Sequence, residues 1–172
     1  MELDTMKIPD AWLVSGCLTN TVWNVLCERD PVAGIKDYDV FYFDPDTSWE
    51  AEDRVIQQCA KRFAHVSGGV EVRNQARVHL WAPGKFGRPA MDPFMQSSEG
   101  IDGFLTACTM VGARLNEDKE IELYTPVGLA DVFSFDVRSN PLCSIVPQEK
   151  HYWAKARRWK EQWPELTLHD PI

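Results

Sequence analysis

The sequence predicts an α+β fold, a mixed β-sheet packed with helices. Three observations carry this. Apolar runs at Trp12–Val14, Val40–Phe43 and Val70–Trp81 have strand character. Thr47–Phe63 and Gln148–Trp163 repeat apolar residues at helical spacing. Thr109–Leu115 and Glu120–Thr125 flank the polar turn Asn116–Lys119, which reads as a hairpin.

The elements follow in order. Trp12–Val14 is a short strand that runs into Ser15-Gly16. Leu18, Val22, Val25 and Leu26 share a helical face, so a helix is expected from about Leu18 to Cys27, ended by Arg29-Asp30-Pro31. Pro31–Gly34 is a loop. Asp37–Phe43 reads as a central strand, bounded by Asp44-Pro45-Asp46. Thr47 with Glu50 three residues on fits a capping box. The helix it opens carries Val55, Ile56, Cys59, Ala60 and Phe63 on one stripe, and Gly68-Gly69 punctuates its end.

Val70–Trp81 reads as one long strand. Glu71, Arg73, Gln75, Arg77 and His79 then share a face, which is either solvated or lines a site. Ala82–Ser98, rich in Pro and Gly, is a loop. Glu99–Thr106 and Leu129–Phe135 are short helical segments, and Asn140-Pro141 stops the second region. In the last helix, Gln148–Trp163, residues Tyr152, Ala156, Trp159 and Trp163 lie on one face.

Composition narrows the function. A chain of 172 residues without internal repeats suits one domain over 1–172. It is 44% hydrophobic with seven Trp, which excludes disorder. No apolar run approaches the roughly 20 residues a membrane helix needs. The first ten residues, MELDTMKIPD, lack the layout of a signal peptide, so a cytoplasmic location is expected. A net charge of -8 argues against general nucleic-acid binding. The five cysteines have no C-x-x-C spacing and read as reduced core thiols.

The chemistry concentrates between Val14 and Asp46. Asp37 and Asp39 lie two apart on a strand, so both carboxylates point to one face. Carboxylates this close repel, and a divalent cation relieves the repulsion. D-x-D alone is a weak motif that a polar turn and an exposed strand residue also produce. Ser15-Gly16 strengthens it. Gly16 lets backbone approach a phosphate, the N–H groups of Cys17 and Leu18 can donate, and the helix start attracts anions.

Ser15-Gly16, a helix, and then Asp37-x-Asp39 on a strand resemble the nucleotidyltransferase superfamily that includes DNA polymerase beta and the CCA-adding enzymes. A wider resemblance runs through Thr21-Val22-Trp23, Gly34–Asp39, Tyr42–Pro45, Val72–Trp81, Gly128–Phe133 and Arg138–Pro141. These segments look like a family of small bacterial nucleotidyltransferase-like proteins. The resemblance implies a nucleotidyltransferase-like mixed β-sheet packed with helices. It implies a nucleoside triphosphate substrate and Mg²⁺ (or Mn²⁺) held by Asp37, Asp39 and a third carboxylate, for which Glu71 is the candidate. It places Ser15 and Gly16 beside the triphosphate, and Cys17, Thr19 and Asn20 follow at the helix start as further nucleotide-binding candidates. Lys36, Arg73 and Arg77 are candidate phosphate contacts by their charge and fork geometry, and the plainer reading of each is an exposed or salt-bridged surface residue. Thr19-Asn20 stands where CCA-adding heads carry an Arg-Asp pair. That departure keeps open a catalytically silent, nucleotide-binding relative beside an active transferase. The acceptor is a small molecule, a protein side chain or an RNA end.

Plainer roles are expected elsewhere. Lys150, Lys155, Arg157, Arg158 and Lys160 read as a solvated basic face of the last helix, whose Trp residues pack on the core. His79 reads as a structural partner and Asp131 as part of a polar network.

Overall fold

The computed structural model describes residues 2–143 and 148–171. A single helical turn, α1 (Glu2–Thr5), precedes β1 (Trp12–Val14). Then come α2 (Gly16–Leu26), β2 (Tyr38–Tyr42), α3 (Trp49–Arg62) and β3 (Val70–Asn74). After α4 (Val78–Phe86) and the short α5 (Glu99–Asp102) comes the hairpin of β4 (Gly112–Leu115) and β5 (Ile121–Tyr124). The chain closes with α6 (Ala130–Phe133), β6 (Asp136–Val137), α7 (Gln148–Gln162) and β7 (Thr167–Leu168).

Five strands form one sheet in the order β3-β2-β1-β4-β5. β2 and β3 are parallel, as the intervening α3 requires, and the remaining neighbours are antiparallel. β6 and β7 form a separate parallel pair. The architecture is the α+β class read from sequence, and the hairpin and the last helix stand where expected.

Strand alternation divides the sheet into two faces. Leu13, Val40, Tyr42, Val70 and Val72 turn to the rear, where Val55 and Cys59 of α3 and Phe63 just after it cover them. Trp12, Val14 and Phe41 turn to the front and pack with Ile101, Met110 and Phe104. The register pairs Val14 with Asp39 and Asp39 with Glu71. The carboxylates therefore share the front face.

α7 is seated by aromatic packing. Trp159 and Trp163 meet Trp23 of α2 edge-on, with ring centroids 5.4 and 5.3 Å away. Trp163 donates its indole N–H to Asn24 (2.9 Å), and the Tyr152 hydroxyl lies 2.6 Å from the Val137 and His169 carbonyls. All four residues of the expected buried face are buried.

Two expectations are corrected. The cap of α3 is Ser48, whose hydroxyl accepts from the Ala51 N–H at 3.3 Å, so the Thr47–Glu50 box does not form. β3 stops at Asn74 instead of continuing to Trp81. The Asn74 side chain accepts from the Ala76 N–H (3.1 Å) and turns the chain into a 3-10 turn over Gln75–Arg77 and then α4. The alternating pattern beyond Asn74 thus belongs to helical structure. Among the described residues, no helix is long and apolar enough to cross a membrane.

Candidate active site

The end of β1 delivers Ser15 and Gly16 beside Asp39, because Val14 is the strand partner of Asp39. Ser15 is buried and has a φ of 66°, a left-handed conformation that costs an ordinary residue about 1–3 kcal/mol. That turn is held by the Ser15 N–H donating to Val111 (2.9 Å). It lets α2 start directly over the sheet edge. Leu18 donates its N–H to the Ser15 carbonyl (3.1 Å), so it is spent within the turn. The N–H groups of Gly16 and Cys17, at the positive end of α2, are the ones left for an anion.

Asp37 is reached through the loop after α2, which is fixed in two places. Asn24 is buried and donates to the carbonyls of Pro31 (3.2 Å) and Ala33 (2.8 Å). Gly68, with a φ of 89°, comes so close to the Lys36 carbonyl that a Cβ there would lie 2.5 Å from its oxygen. These contacts set the exposed Asp37 beside the half-buried Asp39.

A cleft of about 140 Å³ results, lined by Ser15, Gly16, Cys17, Asn20, Asp37 and Asp39 on one side. Lys36 stands at its rim. α7 supplies the other wall with Lys155, Arg158, Trp159 and Gln162. The Asn20 Oδ1 is buried without a hydrogen-bond partner.

Burial, then the neighbouring Asp37 and Glu71, push the Asp39 carboxyl up to about 6. Burial, then Asp39, pushes the Cys17 thiol up to about 12, so Cys17 is an inert wall and not a nucleophile. Lys155 reaches in from α7, its ammonium 4.7 Å from the Trp159 ring. Desolvation lowers its pKa, against the attraction of Cys108, Asp39 and Asp37.

The sequence candidates divide accordingly. Ser15, Gly16, Cys17, Asn20, Lys36, Asp37 and Asp39 come together in the cleft. Glu71 is beside Asp39 in register, but it is exposed and its carboxylate lies 3.6 Å from Arg73. Among the described residues no group of three His, Cys, Asp or Glu side chains is assembled to hold a metal. Arg73 lines a neighbouring cavity.

Thr19 and Arg77 are not brought to the site. Thr19 faces inward and donates to the Cys108 carbonyl (2.8 Å), one turn around α2 from the cleft. Arg77 lies behind the sheet, paired with Glu52 at 2.9 Å, because the chain has already left β3. The basic face of α7 is solvated at Lys150, Arg157, Arg158 and Lys160, and the half-buried Lys155 is the exception, although Arg158 also borders the cleft. The signal for Lys155 and Arg158 was present, since both lie on the same side of α7 as the buried Trp159.

Comparison with known proteins shows the family and the fold. Residues 1–168 match the sequence profile of a family described as Nucleotidyltransferase. The chain belongs to that family. A solved structure under the description "The NMR structure of the protein reveals a CCA-adding enzyme head domain" superposes on this nucleotidyltransferase-family chain with a TM-score of 0.80. The two are 28% identical, and the match covers 98% of this chain and 86% of the other. No curated protein sequence matches. The sheet and the helices flanking its front face are thus those of a CCA-adding-type head domain.

Proposed function

We propose that this family member is a divalent-metal-dependent nucleotidyltransferase that moves a nucleoside monophosphate from a triphosphate to an acceptor hydroxyl. The observation that carries it is the cleft itself. A helix start, the carboxylates of Asp37 and Asp39, and Lys155 and Arg158 of α7 line one small cleft, and among the described residues neither carboxylate has a hydrogen bond or close ion pair with a side chain. Asp37 and Asp39 suit a hard divalent cation, because the pair is already raised in energy by its own repulsion and burial. Glu71 is the third candidate ligand, after a side-chain rearrangement away from Arg73. Bound there, the metal would neutralise phosphate charge and favour attack at phosphorus.

This chain's residues supply the rest. Gly16, Cys17, Asn20, Lys155 and Arg158 hold the β- and γ-phosphates. The acceptor oxygen forms a bond to the α-phosphorus, the α–β bridging bond breaks and pyrophosphate leaves toward α2. The hydroxyl proton passes to the Glu71 carboxylate.

The unassembled third carboxylate favours a second reading, a nucleotide-binding relative without transfer. Calorimetric titration of each NTP with Mg²⁺ or Mn²⁺ tests the first reading. Wild type is expected to bind at least one NTP only with metal, and Asp37→Ala/Asp39→Ala is expected to lose it. Absence of binding at millimolar nucleotide and metal overturns both readings. Binding without pyrophosphate release across acceptor screens supports the second.

A further inference from the structure

A second cavity, about 490 Å³, opens on the same front face beyond Asp39. Phe41, two residues after Asp39 on β2, and Arg73, two after Glu71 on β3, form its floor, so it continues the carboxylate row along the sheet. Lys155 and Arg158 line both this cavity and the cleft and form the boundary between them. Trp81, Phe86 and Phe104 give it flat apolar walls. Its volume suits a small organic molecule.

Its charge is the informative feature. Arg73, Arg88, His151, Lys155 and Arg158 all line it, in a chain whose net charge is -8. Only Arg73 has a carboxylate partner among the described residues, Glu71 at 3.6 Å. Arg88, on the far wall, rests over the Phe86 ring (5.9 Å), reaches the Met91 sulfur (3.8 Å) and leaves its Nε buried with no hydrogen bond. A guanidinium in that state is short of an anion.

We propose that this cavity is the acceptor site and that the acceptor is a small organic anion, a phosphate or carboxylate carried on a planar or apolar body. The proposal rests on the nucleotidyltransferase reading for its direction. In-line displacement places the attacking oxygen opposite the leaving pyrophosphate. With pyrophosphate in the cleft at Ser15–Asn20, the opposite side of Asp39 is the Phe41 end. A nucleobase and ribose are uncharged and would leave the cluster of cations around Arg88 without a counter-charge. A nucleic-acid chain needs a basic track over the outer surface, and the overall charge is acidic. A short anion matches a few cations confined to an aromatic cavity.

The test uses anilinonaphthalene sulfonate, a fluorescent aromatic anion, on the whole protein. One molecule per chain should bind and still bind with Mg·ATP present. Naphthyl phosphate and naphthoate are the competing arms, and the stronger competitor names the anion. Neutral naphthalenemethanol should compete at least tenfold more weakly than either. Arg88→Gln should weaken probe binding about tenfold, and Arg88→Lys should largely restore it. Gly103→Leu should abolish it by filling the cavity. A Cβ at Gly103 would meet only the Gly100 carbonyl (3.8 Å) and an Arg88 nitrogen (3.9 Å), so the fold tolerates the plug. Asp37→Ala/Asp39→Ala should leave probe binding intact while losing Mg·ATP, which keeps this test separate from that of the nucleotide site. Equal probe binding by wild type and Arg88→Gln overturns the proposal. Displacement of the probe by Mg·ATP also overturns it, by giving the cavity to the nucleoside.

Discussion

Glu52 and Asp39 are both carboxylates held largely out of water, one behind the sheet and one in front of it. Glu52, on α3, is only 4% exposed and fully occupied. It accepts the Asn74 N–H at 2.9 Å and pairs with Arg77 at 2.9 Å. Arg77 in turn donates to the Thr47 carbonyl (2.8 Å) and lies over the Trp49 ring (5.5 Å). Asp39 has no hydrogen bond from any described side chain, and the repulsion of Asp37 and Glu71 outweighs the pull of Lys155 and Arg73. A charge whose partners are all internal holds the fold together. A charge whose strongest charged neighbours are of its own sign is held at a cost that an added cation relieves.

The rear pair should show the largest effect. Glu52→Ala leaves the Arg77 guanidinium and the Asn74 N–H uncompensated, and urea unfolding should report a loss of about 3–5 kcal/mol. A loss under about 1 kcal/mol would erase the contrast. Asn24→Ala comes next. It removes the partner of the buried Trp163 indole and of two loop carbonyls, so about 2–3 kcal/mol should be lost, with nucleotide affinity falling as the Asp37 loop loosens. Lys155→Met sharpens the comparison from the front. Desolvation outweighs the attractions on this lysine, so thermal unfolding should be unchanged or slightly raised. Mg·NTP binding should weaken about tenfold, roughly 1.4 kcal/mol. A large drop in stability instead would make Lys155 another structural cation.

The difference between the two regions also explains what could be read from the sequence. The front face was legible because it obeys local rules. Asp37 and Asp39 lie two residues apart, Asp39 on β2 and Asp37 just before the strand begins, and a small residue pair opens α2. The rear pair was hidden because one side chain, Asn74, bonds its own backbone and ends β3 where the alternating pattern continued. That single turn sends Arg77 behind the sheet, while Arg73 and Glu71 stay in front. Thr19 was misplaced for a related reason. On a helix, Asn20 faces the cleft and Thr19 faces the core, and position along the chain alone does not separate them. Lys155 and Arg158 were legible only once the packing of Trp159 against Trp23 fixed the rotation of α7.

An effect of similar size at Asp39 is the most direct test that the front face is built for a cation. Asp39 titrates near 6 when folded, against 3.8 for an ordinary aspartate. Below the lower value both states are protonated and nothing is lost. As pH rises from about 4 through 6, the unfolded chain ionises more readily, so the folded state loses stability, and the loss is complete above the folded value. A difference of this size corresponds to about 3 kcal/mol, and residual solvent contact reduces it to about 1–2 kcal/mol. The measurement is thermal unfolding of wild type and Asp39→Asn between pH 4 and 8, with and without Mn²⁺. The expected result is that the Asp39→Asn variant is the more stable near neutral pH without metal, that the gap closes toward pH 4, and that Mn²⁺ stabilises wild type alone. A variant no more stable than wild type at neutral pH, or equal stabilisation of both by Mn²⁺, would contradict a cation site at Asp37 and Asp39.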